Sequence, residues 1–413
     1  MNKAKPFSIS KQQVWSAYKR VRANKGSAGF DGQSIESFES DLSNNLYKLW
    51  NRLASGSYIP PPVKRVEIPK ANGKTRPLGI PTVADRVAQM VAKEALEPLL
   101  EPHFHEDSYG YRPNKSALNA VAIARKRCWR YNWALELDIK AFFDCIDHDL
   151  LMKAVCHHTD NPWLILYVKR WLKAPVALKN GTLVNPEKGT PQGGVISPLL
   201  ANLYLHYAFD FWMQKVFPGV PFERYADDAV CHCRSEAEAV QLREALEQRF
   251  IECGLSLHPD KTKVVYCKDV DRPLDFPVTS FDFLGYTFRP RLSKNRHGKY
   301  FVNFTPAISN KAAKAIRSEV KNWKWNLRPG DSLFSIARES NPKIRGWLNY
   351  YARFCPSELH KVLAHIDRRL VLWATHKYKS LKGRSRKAKR WLKQIISRDR
   401  HLFVHWSVIH KHG

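Results

Sequence analysis

Phe222-Glu-Arg-Tyr-Ala-Asp-Asp-Ala-Val-Cys-His-Cys233 sets two adjacent carboxylates, Asp227 and Asp228, among residues that favour strands. Neighbouring side chains on a strand point to opposite faces. One surface therefore presents both acids only if the chain turns there, and a hairpin tip is the simplest turn. Two like charges at such a tip are costly unless a cation neutralises them. The pair reads as a magnesium site; an Asp-Asp turn on a solvated loop is the blander alternative for the tetrad taken alone.

Ala134-Leu-Glu-Leu-Asp-Ile-Lys-Ala-Phe-Phe-Asp-Cys-Ile-Asp-His148 shifts the balance. Apolar and acidic residues alternate up to Asp138, then the spacing becomes helical, so Asp138 falls at a strand end where it can meet the hairpin acids. Asp144, Asp147 and Asp149 read as helix-start and surface acids. Three carboxylates can hold two Mg²⁺ ions roughly 3.5–4 Å apart, with Mn²⁺ as a substitute, activating a 3′-hydroxyl and stabilising the departing pyrophosphate. Phosphoryl transfer asks for little beyond positioning and positive charge. Oxygen ligands shared with substrate phosphates suit Mg²⁺ better than zinc.

The order of motifs resembles the reverse transcriptases of bacterial group II introns. Asn24-Lys-Gly-Ser-Ala-Gly-Phe-Asp-Gly32 is similar to their N-terminal extension, and Val66-Glu-Ile-Pro-Lys-Ala-Asn-Gly-Lys-Thr-Arg-Pro-Leu-Gly-Ile-Pro81 to their fingers. Asp107-Ser-Tyr-Gly-Tyr-Arg-Pro-Asn114, the Asp138 block, Gly189-Thr-Pro-Gln-Gly-Gly-Val-Ile-Ser-Pro198 and the tetrad follow in order, then Gly254-Leu-Ser-Leu-His-Pro-Asp-Lys-Thr262 and Phe283-Leu-Gly-Tyr286. Such a series in one order does not arise by chance.

The resemblance implies an α+β right-hand polymerase: fingers, a palm with an antiparallel sheet, then a helical thumb or maturase domain and a basic tail. The expected segments are 1–58 (N-terminal helical extension), 59–134 (fingers, with palm contributions) and 135–305 (palm, with an inserted helical part), then 306–376 (thumb) and 377–413 (basic tail). It implies catalytic and metal-binding roles for Asp138, Asp227 and Asp228, with Ile139 included in the metal-binding set. Lys70, Arg76, Phe143, Gln192 and Lys261 become nucleotide-site residues, with Lys74 a weaker candidate. Lys70 and Arg76 would clamp the triphosphate, and Phe143 would exclude a 2′-hydroxyl. Gln192 would contact the nucleotide or templating base, and Lys261 would protonate pyrophosphate. Leu284, Gly285 and Tyr286 resemble a hairpin that grips the primer end. The implied partners are template RNA and the parent intron RNA, a DNA primer or target, and deoxynucleoside triphosphates. The implied location is the bacterial cytoplasm, with association to the nucleoid.

Bulk properties agree. The 413 residues carry 68 Lys and Arg against 38 Asp and Glu, a net charge of +30, which costs self-repulsion and suits a polyanion partner. Sixteen Tyr and thirteen Trp offer stacking surfaces among the cations. No apolar run approaches the about 18 residues of a membrane span, and no apolar leader follows Met1. Eight cysteines are scattered without a Cys-x-x-Cys, so neither a disulfide framework nor structural zinc is expected, and Cys231 and Cys233 read as buried thiols.

Apolar spacing predicts helices over about 8–55, 85–100, 116–129, 199–211 and 236–253, and two strands around Ala71-Asn-Gly-Lys74. Two short strands should flank Gly285, and a helical region rich in Trp should run from Lys311 to His376, centred on Gly346-Trp-Leu-Asn-Tyr-Tyr351. There Trp347, Tyr350 and Tyr351 are stacking candidates or core rings with equal claim. Lys377 to Arg390 holds eight cations and no acid, then Trp391, Leu392, Ile395 and Ile396 at helical spacing, which reads as a nucleic-acid-binding tail carrying Lys387, Lys389 and Arg390. No cysteine follows Cys355, so the paired-cysteine endonuclease module of longer family members is not expected, and priming from existing nicks or single strands is. Two alternatives stand beside an intron-serving polymerase: a domesticated relative in phage defence, repair or a CRISPR locus, and a non-catalytic RNA-folding protein. Three acids facing phosphates argue against the last.

Overall fold

In the computed structural model, which describes residues 5–69, 75–295 and 297–409, the tetrad sits at a hairpin tip. Strand Phe222–Tyr225 pairs antiparallel with Asp228–Cys233, Tyr225 lies opposite Asp228, and Ala226 and Asp227 form the turn. Ala226 has φ 56°, the left-handed conformation that tight hairpin connections demand. The hairpin belongs to a four-stranded sheet whose third strand is Trp133–Asp138 and whose fourth is Lys263–Tyr266. Asp138 ends its strand, as the alternation predicts.

The chain divides into two compact units: Met1–Ala120, Leu137–Cys231 and Ala237–Thr262 form one, and Val121–Glu136, His232–Glu236 and Lys263–Gly413 the other. In the first, helices Lys11–Asn24 and Leu42–Ser55 precede strands Val63–Pro69 and Thr75–Ile80. These strands pair antiparallel from Lys64–Ile80 to Pro69–Thr75. The expected Asn72-Gly73 turn, with Lys70 and Lys74, lies outside the described residues. Helix Val83–Leu100 is capped by Thr82 and buries most of its first three turns. Helices His148–His158 and Pro162–Leu172 lie between the acidic motifs in the chain. Asp147 caps the first of these, accepting from the Leu150 N–H at 2.8 Å, which makes it a helix-start acid. A short strand at Val176–Ala177 pairs in parallel with Val63–Lys64 and had no signal of its own in the sequence. The helix expected over 199–211 is continuous from Ser197 to Val216 but turns π-helical at His206–Asp210.

The second unit differs more from expectation. The strand after Gly285 is long, Tyr286–Lys294, and pairs over its length with Tyr300–Ile308, a strand the sequence reading did not anticipate. Helices Asn310–Asn322, Leu333–Tyr351 and Pro356–Lys377 follow. The boundary expected at 376/377 has no structural counterpart. Helix Ser385–Arg398 buries Ala388 and Leu392 in the same apolar cluster as Ile316, Ile344, Leu363 and Trp373, and Phe403 and Trp406 close it. An amphipathic helix buries its apolar stripe however basic its outer face is. Three of the tryptophans counted as stacking surfaces, Trp325, Trp373 and Trp406, are instead fully buried here. All eight cysteines are free, and Cys231 and Cys233 are buried on the second hairpin strand.

Candidate active site

Hairpin and strand end bring the acids into one electrostatic group. The Asp228 carboxyl is pushed up to about 7: burial is the largest cause, then the Asp227 and Asp138 charges, and a hydrogen bond with Asp138 also favours the protonated form. Asp227 is raised as well, by burial and by Asp138, against the pull of Arg76 and Lys261. Crowded carboxylates that cannot all ionise together suit a site that binds a cation. Lys261 supplies part of that balance. Its Nζ donates to both Asp138 oxygens, at 3.0 and 2.8 Å. The pairing follows from the backbone, since Lys140 N–H donates to Ser256 O at 2.9 Å and His258 N–H to Asp138 O at 2.8 Å. These bonds lay the Gly254–Thr262 segment along Asp138–Lys140, with buried Ile139 bridged to Leu257.

Among the described residues, no three His, Cys, Asp or Glu side chains stand arranged as a ready metal cage. The donor chemistry nevertheless fits a hard divalent cation: carboxylate oxygens only, crowded enough to hold a proton near neutral pH. Lys261 pairs with the same Asp138 oxygens that such an ion would use.

A second set forms the neighbouring wall. Arg76 Nε donates to Gln192 Oε1 at 2.5 Å, and Gly79 N–H to Gln192 O at 2.7 Å. A Cβ on Gly193 would stand 2.5 Å from Gly79 O, so only glycine lets the loop lie this close to the strand. The loop is held from behind by buried Gln89, whose Oε1 accepts from Val195 N–H at 2.7 Å while its amide donates to Asp85. Phe143 is buried at 6% exposure and its carbonyl accepts from Thr190 N–H at 2.8 Å. Phe142 beside it is buried more deeply, at 1%.

Two features escaped the sequence reading. Tyr111, left-handed at φ 58° and half exposed, lies 6.2 Å ring to ring from Tyr225, and the charges of Asp227 and Asp228 help burial raise its phenol. Arg224 is wholly buried two residues before the turn centre and bonds Asp210, Asn202, Ser108 and Ala226. Its strand, Phe222–Tyr225, holds two charged residues of four and offered no local signal that Arg224 is buried.

In the second unit, Leu284 (φ 52°) and Gly285 (φ 80°) form a two-residue turn, left-handed at both positions. Tyr350 donates its hydroxyl to Leu284 O at 2.8 Å, and Tyr286 donates to Tyr350 O, so the turn is tied to helix Leu333–Tyr351. Trp347 stacks on Trp323 at 5.7 Å and packs on the core. These rings are thus engaged by protein. Lys387, Lys389 and Arg390 are exposed, and Lys389 lines a groove of about 610 Å³ with Arg368, Arg369 and Lys393.

Residues 68–288, more than half of the chain, match the family described as reverse transcriptase (RNA-dependent DNA polymerase), and residues 313–391 match the group II intron, maturase-specific domain. Protein YkfC of Escherichia coli K12 is 33% identical over 341 residues, covering 73% of this chain and 84% of its own. Group II intron-encoded protein LtrA of Lactococcus lactis subsp. cremoris is 36% identical over 199 residues, 48% of this chain and 33% of its own. A putative COX1/OXI3 intron 1 protein of Saccharomyces cerevisiae is 31% identical over 198 residues, 48% and 24% respectively. The chain spans most of the first relative and a third or less of the other two. No described helix is long and apolar enough to cross a membrane. The chain belongs to the reverse transcriptase family, in its group II intron branch with a maturase-specific domain, and is an RNA-directed DNA polymerase.

Proposed function

We propose that Asp138, Asp227 and Asp228 are the acids of two-metal nucleotidyl transfer, and that the protein copies RNA into DNA while binding its own intron RNA to promote splicing and retrohoming. What supports the reading is the geometry: a hairpin turn carries Asp227 and Asp228, Asp138 ends the strand Trp133–Asp138, and burial with the Asp227 and Asp138 charges pushes the Asp228 carboxyl up to about 7. Divalent magnesium, held by the three carboxylates, would supply charge neutralisation and an activated 3′-hydroxyl.

The chain's own residues do the rest. Arg76 carries a fixed positive charge on the exposed strand beside the acids and fits the triphosphate, with Lys70 assigned to the same task. Gln192, oriented by Arg76, faces the nucleotide or templating base. Phe143 sets the deoxynucleotide preference through its bulk, at the loop it anchors. Lys261 would release Asp138 if the acids held a cation, leaving its ammonium to give a proton to pyrophosphate. The turn at Leu284–Tyr286 supports the primer end. Lys387, Lys389 and Arg390 bind phosphates of RNA or DNA.

The test replaces Asp227 and Asp228 with Ala. Loss of cDNA synthesis with RNA affinity and splicing assistance retained is the expected result. Loss of RNA binding in the folded variant refutes the division between catalysis and binding.

A further inference from the structure

A hairpin tip carrying two adjacent acids is poorly placed to hold itself still. The turn is two residues long, Ala226 adopts φ 56° without being glycine, and the neighbouring carboxylates repel. Yet two-metal chemistry needs those carboxylates fixed to within a fraction of an ångström.

The restraint comes from beneath. Arg224 Nε and Nη2 donate to the two oxygens of Asp210, at 2.7 and 2.5 Å. Nη2 also donates to Ser108 Oγ at 2.8 Å, and Nη1 to Asn202 Oδ1 and Ala226 O, both at 3.1 Å. These five bonds use every N–H the guanidinium has. Arg224 and Asp210 are buried at 1% and 0% side-chain exposure, so neither charge has water as an alternative partner. Asn202 passes the restraint on, donating to Gly110 O at 2.6 Å. The backbone closes the circuit: Tyr109 N–H donates to Arg224 O at 2.8 Å and Arg224 N–H to Asp107 O at 2.9 Å. A Cβ on Gly110 would lie 2.5 Å from Ala226 N, so this loop touches the turn itself.

We propose that Arg224 is a positioning residue for the catalytic turn. Its guanidinium holds the Ala226 carbonyl in the left-handed corner and, through Asp210, Asn202 and Ser108, locks the Asp227–Asp228 tip against the Asp107–Gly110 segment. Lysine cannot replace it, because a single ammonium has three donors at one point and this site needs five in a plane. The inference rests on the catalytic reading of Asp227 and Asp228 above.

The experiment compares the full chain with Arg224→Lys, Asn202→Ala, Ser108→Ala and Gly110→Ala. Four quantities are read: kcat and KM for deoxynucleotide in cDNA synthesis, the Mg²⁺ concentration giving half the maximal rate, the Kd for primer–template, and the melting temperature. Arg224→Lys keeps the charge but not the fork, Asn202→Ala and Ser108→Ala keep the ion pair, and Gly110→Ala displaces the turn sterically from the other side. Expected are kcat losses of about ten- to a hundredfold for Arg224→Lys, Asn202→Ala and Gly110→Ala, in line with small misplacements of catalytic groups. Half-saturating Mg²⁺ should rise several-fold while primer–template Kd stays within about twofold, and Ser108→Ala should move the same way by less. The comparison is made among variants that remain folded at the assay temperature. Wild-type kcat and Mg²⁺ dependence in folded Asn202→Ala and Ser108→Ala overturns the proposal, as does a parallel loss of primer–template affinity. Asp228→Asn in the same assay separates the two readings. If it still polymerises, the catalytic assignment fails; if it is dead while the Arg224 set matches wild type, only the positioning role fails.

Discussion

Asp228→Asn should stabilise this protein while abolishing its polymerase activity. Burial and the charges of Asp227 and Asp138 raise the Asp228 carboxyl from 3.8 to about 7, a little over three units. At about 1.4 kcal/mol per unit this is on the order of 4 kcal/mol. Solvent reaches part of the carboxyl, and screening brings the figure down to roughly 2 kcal/mol. The sign follows from linkage. A folded-state value above the unfolded one means the folded protein holds the proton more tightly. The contribution to stability is complete below about 3.8 and is lost as pH rises through about 7. At pH 8 the parent therefore bears the whole cost of the buried charge, and asparagine bears none. Thermal unfolding of parent and variant in EDTA should show the variant melting a few degrees higher at pH 8. The gap should shrink by roughly half at pH 5.5, where the folded carboxyl is already protonated and the unfolded one is not. Saturating Mg²⁺ should stabilise the parent more than the variant, which keeps only the Asp138 and Asp227 carboxylates for the ion. A variant that melts at or below the parent at pH 8 without metal, or a gap indifferent to pH, refutes the coupling between these acids.

Other outcomes follow from the same geometry. Phe143→Val should raise incorporation of ribonucleotides relative to deoxynucleotides by at least tenfold in single-nucleotide extension assays, at a stability cost of about 1–3 kcal/mol for the buried volume removed; unchanged discrimination removes Phe143 from sugar selection. Arg76→Ala should raise KM for deoxynucleotide more than it lowers primer–template affinity, and Gln192→Ala should share most of that effect because the two side chains are bonded; strictly additive losses would show that they act apart. Replacing Lys387, Lys389 and Arg390 together by Ala leaves the core of that unit covered and should lower the slope of log K against log salt by about 2–3, near 0.9 for each phosphate no longer neutralised. A parent-like slope assigns that face to something other than nucleic acid.

Local order was largely written in the chain. Alternation up to Asp138, the turn demanded by Asp227-Asp228 and the three-to-four spacing of the helices all act over a few residues, so pattern alone locates them. The order of the motifs along the chain is enough to place the family. What only the tertiary structure decided is which distant groups share a charge environment. Lys261 reaches Asp138 across 123 positions, and Arg76 reaches Gln192 across 116, contacts set by strand pairing and a glycine-tight loop rather than by any local signal. The same holds for the buried Arg224–Asp210 pair, which looks like two ordinary charges until packing removes their water. Composition misled where it was silent about burial. Trp325, Trp373 and Trp406 are fully buried core rings, and the basic run after Lys377 covers an apolar stripe that belongs to the same helical core. A sequence counts aromatic rings and cations, but only a packed chain determines which of their faces meet solvent.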